Sequence, residues 1–342
     1  MTRNVWWTRQ KFKTAHYPKV TYADNGVSGL SKPRAFRKLL YKRTRLHIQP
    51  LKAVRGGFFG GPGSLYLKPK TLDEAVSLLA SSGGQILAGG TDFYPALGER
   101  LPQGRVIDIT SLGEIRGISF EPEWTRIGGL TTWTEVIRAP LPRCFDALKA
   151  AAREVGSVQI QNRGTVAGNL CNASPAADGV PPLLALDAEV ELASSAATRR
   201  VPLSQFITGN RKTKRQANEV VTAVLVPRTF ENAASSFLKL GARRYLVISI
   251  SMVAAVVQVD RRGKIAVARI AVGSCSATAQ RLTALERALV GLPLAKKIGA
   301  AVKPEHLSPL SPIDDVRATG EYRRDASLTL VRRAIEACVG NN

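Results

Sequence analysis

The sequence QIQNRGTVAGNLCNASPAADGVPPLLALDAEVE, residues 159–191, changes character half-way along. Its first half is rich in glycine, asparagine, serine and threonine, which make a poor core and a good loop. Its second half is apolar and reads as a helix followed by a strand. Gly164 and Gly168 are expected to bring the backbone close to a ligand and to adopt positive φ without a Cβ clash. Thr165, Asn169, Asn172 and Ser174 offer short hydrogen-bonding groups around it. Asp178 then precedes PPLLALDA, whose prolines suit a first helical turn.

A second glycine stretch lies upstream. GGQILAGGTDF, residues 83–93, sets a short apolar strand directly before Gly89-Gly90-Thr91-Asp92. Bare amides in a tight turn after a strand form a concave anion site suited to a pyrophosphate. The spacing is neither G-x-G-x-x-G nor G-x-x-x-x-G-K-[ST], so Rossmann and P-loop readings lose support. Two such loops, each after an apolar strand, point to one large cofactor held between two lobes.

Outward from these loops the chain reads as alternating helices and strands. Thr71 and Glu74 form a capping-box start for a helix whose buried stripe is Ala75, Leu78 and Leu79. Strands are expected at 85–88, 105–109, 124–129, 188–193, 198–202 and 219–226. Gly129-Leu130-Thr131-Thr132, before a helix, is a further candidate for cofactor contact. Residues 145–155 read as an Ala-rich helix, and 211–213 as a solvated polar connection. Residues 249–260 and 264–272 suggest a hairpin turned at Arg261-Arg262-Gly263. Helices are expected at 277–290 and 326–338.

Composition narrows the classes. The 342 residues leave room for two or three units, with 44% hydrophobic residues to fill their cores. No apolar run approaches the roughly 18 residues needed to span a bilayer, and no secretory h-region is visible, so a cytoplasmic setting is expected. The four cysteines, Cys144, Cys171, Cys275 and Cys338, form no C-x-x-C pair, which argues against disulfide, zinc and iron–sulfur frameworks. The three histidines, His16, His47 and His306, lie far in sequence from the glycine loops, so neither a catalytic nor a cofactor-linked histidine is supported.

Of the net charge of +23, residues 1–62 carry +13, from 14 Lys or Arg and a single acid, Asp24. With Trp6, Trp7, Phe12, Tyr17 and Tyr22 interleaved, this segment has the makings of a nucleic-acid contact. It lacks a helical period and is broken by prolines and glycines, so it reads as a basic, poorly ordered extension over 1–63. A start site placed too far upstream is a further reading.

LAGGTDF (87–93), VIDITSLGEIRGI (106–118), RGTVAGNLCNASPAAD (163–178), NEVVTAVLVP (218–227), FLKLGARR (237–244) and PIDDVRATGEYRR (312–324) occur in that order. Together, over roughly residues 64–339, they resemble the FAD-binding (medium) subunit of the molybdenum hydroxylase family, of xanthine dehydrogenase and carbon monoxide dehydrogenase type. The resemblance implies an α+β fold. A two-lobed PCMH-type FAD-binding domain would occupy 64–230, with lobes at about 64–117 and 118–230. A small α+β domain like the CO dehydrogenase flavoprotein C-terminal domain would follow at 235–342.

It also implies roles. Ile86, Leu87, Ala88, Gly89, Gly90, Thr91 and Asp92 would cradle the FAD diphosphate and ribityl region. Thr165, Gly168, Asn169, Cys171 and Asn172 would contact it from the other side, and Asp178 would bond a ribose or adenosine hydroxyl. Val220 and Val221 would lie along the adenine, and Lys239 near the flavin ring. Ala167 stands where many members have glycine, which puts close backbone approach there in question.

The FAD would be bound non-covalently, and no catalytic side chain or metal is implied on this chain. Molybdopterin and 2Fe-2S clusters would belong to a large and a small partner subunit, in a hetero-oligomer such as a dimer of heterotrimers. Electrons would reach the FAD from the 2Fe-2S clusters and leave for NAD or another acceptor. The alternatives are a self-contained flavin oxidase or dehydrogenase of the same fold and, resting on residues 1–62, a nucleic-acid-binding protein.

Overall fold

The computed structural model describes residues 65–339. The basic extension, with its aromatic residues, His16 and His47, lies outside the described residues. Contacts divide the chain at Val54/Arg55, and all that follows concerns the unit beginning at Arg55.

The first lobe is a three-stranded parallel sheet, β1 (Leu65–Leu67), β2 (Gln85–Leu87) and β3 (Arg105–Asp108), with β3 in the middle. Helix α1 (Leu72–Ser82) links the first two strands and α2 (Phe93–Leu97) follows the second. Thr71 caps α1 by accepting the Glu74 amide at 3.2 Å. The Glu74 carboxylate reaches back one residue further than a capping box requires, to the Lys70 amide at 2.7 Å. Ala75, Val76 and Leu79 are the buried face, with Val76 taking the place expected for the half-buried Leu78. So small a lobe cannot close its own core; Ala193 and Val220 of the next sheet, and Leu130 from the turn after its strand 124–128, complete it.

That next sheet is antiparallel and contains β4 (Ile118–Phe120), β5 (Trp124–Gly128), β6 (Glu189–Ala193) and β7 (Thr198–Pro202). The small hairpin β8 (Ile207–Gly209) and β9 (Lys212–Thr213) leads to its central strand, β10 (Val220–Pro227), flanked by β5 and β6. Between β5 and β6 run α3 (Trp133–Arg138), α4 (Asp146–Glu154), α5 (Val158–Gln161), α6 (Val166–Asn172) and α7 (Val180–Ala185); α8 (Leu203–Phe206) follows β7.

Helix α6 corrects the sequence reading, which makes residues 163–172 a loop. Thr165 caps it by accepting the Gly168 amide at 3.0 Å, while Val166 and Leu170 turn inward and are fully buried. Neither Gly164 nor Gly168 has the expected positive φ. A Cβ at 168 would sit 2.8 Å from the capping Thr165 hydroxyl, so a side chain there would have to shift the cap.

The third sheet is β11 (Ala234–Leu240), β12 (Ser251–Val259), β13 (Ile265–Gly273) and β14 (Gln280–Arg281), in that order. Strand β12 shows no polar alternation because both its faces are covered. Met252, Ala254 and Val256 enter the core shared with α4 and α7, while Val253, Ala255 and Val257 enter the core beneath the last helices. Those helices, α9 (Thr283–Leu289) and α10 (Gly320–Val339), differ from expectation at their starts. Residues 280–281 pair with β13 rather than opening α9. Helix α10 begins at Gly320, and its fully buried Arg323 donates to the Ile250 carbonyl at 2.6 Å and to Asp315 at 2.7 Å.

Candidate cofactor cleft

The turn after β2 and the start of α6 come together through bare backbone. A Cβ on Gly89 would lie 2.0 Å from the Arg163 carbonyl oxygen and 3.0 Å from the Gly164 Cα. The same condition recurs behind them. A Cβ on Gly129 would meet the Val221 carbonyl at 2.2 Å, and one on Gly179 the Trp133 ring at 2.3 Å. Three segments thereby pack at distances only glycine permits. Hydrogen bonds fix this arrangement. Trp133 donates its amide to the Gly164 carbonyl at 3.1 Å, and Val166 to the Thr131 carbonyl at 2.9 Å. A capping box between Thr132 and Glu135 holds the start of α3.

These elements enclose a cavity of about 560 Å³, within the range of ligand sites. Ile86, Ala88, Gly89, Gly90, Thr91 and Asp92 line one wall. Gly90 has φ +76°, and a Cβ on it would strike the Tyr94 ring at 2.9 Å, so the turn is open to glycine alone. Thr165, Gly168, Asn169, Cys171 and Asn172 line the opposite wall, with Gly164 and Ala167 beside them. Val220 and Val221 form the floor. The Asn169 side chain lines this wall, while its Oδ1 is buried beside Gly179 without a hydrogen-bond partner in the protein. Burial pushes the half-buried Cys171 thiol up to about 11, against a downward pull from Arg215.

Three residues expected at the cofactor do not line this cavity. Leu87 is buried in the protein and does not line the cavity, although its neighbours Ile86 and Ala88 do. Asp178 and Lys239 face each other instead. Their ion pair is 2.6 Å long, and their side chains are only 8% and 6% exposed. Ser249 donates to the second Asp178 oxygen at 2.7 Å, and Lys239 also reaches the Glu154 carbonyl at 3.4 Å. Burial pushes the Asp178 carboxyl up, opposed by Lys239 and the Ser249 hydroxyl. Lys239 borders a second cavity of about 460 Å³, with Glu154, Phe237, Arg243, Arg244 and Val247.

The cleft also has members that sequence reasoning did not assign: Gln85, Phe93, Ile109, Trp133, Val155, Ile160 and Arg215. Gly129 comes from the Gly-Leu-Thr-Thr turn flagged above. Arg215 follows the stretch read as a solvated face, and nothing local marks it out. His306 lies outside the cleft, its Nδ1 accepting the Lys303 amide at 3.0 Å. Among the described residues no group of three or more His, Cys, Asp or Glu could hold a metal, and no helix is long and apolar enough to cross a membrane.

Comparison with known proteins bears on this geometry. Residues 58–229 match the model of the FAD binding domain in molybdopterin dehydrogenase, and residues 236–338 that of the CO dehydrogenase flavoprotein C-terminal domain. The chain is 36% identical over 247 residues to the nicotinate dehydrogenase FAD-subunit of Eubacterium barkeri, covering 70% of this chain and 83% of that protein. It is 33% identical over 279 residues to a putative xanthine dehydrogenase FAD-binding subunit of Escherichia coli, covering 80% and 95%. Among solved structures, carbon monoxide dehydrogenase from Hydrogenophaga pseudoflava matches 81% of this chain and 97% of its own, at TM-score 0.73 and 29% identity.

Proposed function

The chain belongs to the family of FAD-binding subunits of the molybdenum hydroxylases, and from that premise we propose that it is the electron-transferring flavoprotein subunit of such a complex. The observation that carries this reading is the packing of Gly89 against Arg163, which sets the two glycine loops on opposite walls of one cavity. Bound FAD would supply the redox chemistry, accepting electrons from 2Fe-2S clusters of a small subunit and releasing them to NAD or another acceptor.

The chain's own part is to hold and shield. Gly89, Gly90 and Thr91 line the cavity, and the amides of their turn would present donors to a diphosphate. Asn169 and Asn172 offer the cofactor polar side chains from the opposite wall. Val220, Val221, Trp133 and Ile160 cover its apolar surfaces and keep water away. On this reading residues 64–230 hold FAD, and residues 235–342 support them and face the partners. Molybdopterin would reside in a large subunit, where the substrate is oxidised. A cytoplasmic setting fits the four free thiols.

Purification with its companions tests the proposal. The expected product is a yellow complex with one FAD per copy of this chain. Its flavin should be bleached by substrate through the partners, and this chain alone should oxidise no substrate. A colourless complex that takes up no added FAD would overturn it. Substrate turnover by this chain alone would favour a self-contained dehydrogenase instead.

A further inference from the structure

The cleft is walled almost entirely by uncharged groups. Of its lining residues only Asp92 and Arg215 carry a charge at neutral pH, and Asp92 is exposed. Arg215 is fixed in place. Its Nη1 donates to the Gln216 carbonyl at 2.9 Å and to the Glu219 carbonyl at 2.8 Å, which pins the guanidinium to the segment between β9 and β10. The adjacent acid is committed elsewhere. The Glu219 carboxylate accepts from Arg199 at 2.6 and 2.9 Å and from the Gln216 amide at 2.7 Å. Among the described residues no carboxylate is at ion-pair distance from Arg215; its charge helps to hold the Glu219 carboxyl down and opposes the upward shift of the Cys171 thiol on the cleft wall.

A dinucleotide brings a diphosphate with two negative charges into this space. Neutral amides satisfy its oxygens but cannot balance its charge, and the wall that supplies them carries only an acid, Asp92. A guanidinium matches phosphate oxygens in pairs, and one already held by backbone carbonyls has little freedom left to lose. We propose that Arg215 is the counter-charge for the FAD diphosphate, and so sets the preference of the cleft for the dinucleotide over phosphate-free flavin. The assignment rests on the reading of the cleft as an FAD site.

The test is equilibrium titration of the full-length apoprotein with FAD and with riboflavin, at low and high salt, read by flavin fluorescence. In the unaltered protein, FAD affinity should fall with salt more steeply than riboflavin affinity. Arg215→Gln retains an amide that can serve the Gln216 and Glu219 carbonyls. It should weaken FAD on the order of ten- to a hundred-fold, flatten the salt dependence, and leave riboflavin affinity unchanged. Arg215→Lys should fall between the two. Equal losses for both flavins, or unchanged FAD affinity in Arg215→Gln, would overturn the assignment. So would FAD binding in the unaltered protein that is no more salt-sensitive than riboflavin binding, an arm that needs no variant. Unaltered protein that binds neither flavin overturns the reading of the cleft, and this inference with it; every other failure leaves that reading standing.

Discussion

The cleft between Gly89 and Thr165 is lined by two charged residues, whereas the cavity beside β11 is lined by four, Glu154, Lys239, Arg243 and Arg244. Charge alone would favour the second as an anion site, yet its one buried cation is already paired and its two arginines are exposed. Lys239 is paired with buried Asp178, and Arg243 donates to the carbonyls of Tyr245 at 3.0 Å and Leu246 at 2.5 Å. Arg244 lies over the Tyr245 ring at 5.2 Å. The cleft has fewer charges, but its single guanidinium is half-buried and faces a glycine turn that no side chain at position 89 or 90 could enter. Capacity to bind follows where the polar groups are placed, not how many charges there are.

The comparison breaks hardest if the second region proves to be the one that meets the cofactor. Lys239→Met removes one half of a buried pair and strands the Asp178 carboxylate, which should cost about 3–5 kcal/mol of stability. Combining it with Asp178→Asn should restore most of that, because no buried charge is then left alone. Chemical denaturation of the four proteins measures this cycle. Flavin loss from a Lys239→Met protein that melts normally would place Lys239 at the cofactor and refute the distinction.

Gly89→Ala probes the other region. A methyl group 2.0 Å from the Arg163 carbonyl must part the two loops, and overpacking of this kind costs about 1–3 kcal/mol. If the loops close over FAD, the cost appears as roughly ten- to a hundred-fold weaker retention. Gly113→Ala is the control, since its Cβ meets nothing within 4 Å and its φ is not positive. Equal FAD content in the two variants would show that loop approach is irrelevant to binding.

How much of this was legible in the sequence depends on the range of the contact that decides it. The Thr71 cap, the strand before Gly89 and the paired glycine loops are local, and they read directly. Helix α6 did not, because its polar surface hides the two residues, Val166 and Leu170, that hold it to the core. Lys239 was visible as a cation, but its partner lies 61 residues away in sequence and only the fold brings them together. Arg215 reaches the cleft because the β8–β9 hairpin folds back, with Lys214 donating to the Phe206 carbonyl at 2.8 Å and Arg211 to that of Ala173 at 2.9 Å. A run of basic residues gives no sign of that return.

The two regions also respond to acid with opposite sign. Burial raises the carboxyl of Glu219, the residue before the cleft floor, but its bonds to Arg199 and the Gln216 amide and the charges of Arg199 and Arg215 hold it below its usual value of 4.5. Its folded value is the lower one, so its contribution is full above pH 4.5 and disappears as pH falls through that lowered value. Asp178 has the higher folded value, so the native state takes up its proton first and gains relative stability as pH falls toward 3.8. Glu219→Gln should therefore flatten the acid limb of the stability curve by up to about 1 kcal/mol, the half-exposed Arg199 limiting the effect. Asp178→Asn should not flatten it.

The smallest effect is a rate. Cys144, Cys275 and Cys338 are buried, and Cys171 alone of the four thiols is half-exposed, facing the cleft. With its thiol pushed up to about 11, only about one molecule in a thousand is thiolate at pH 8, and the thiolate is the species that reacts. Alkylation by iodoacetamide should therefore be slow, strike Cys171 first, and rise about tenfold per pH unit below that value. FAD should block it if the cleft is the cofactor site. Arg215→Gln should slow it at any fixed pH in the apoprotein, because the removed guanidinium was drawing the thiol down. Faster alkylation in that variant would mean that Arg215 acts at this wall as a steric lid, and that its charge does not reach the space a diphosphate would fill.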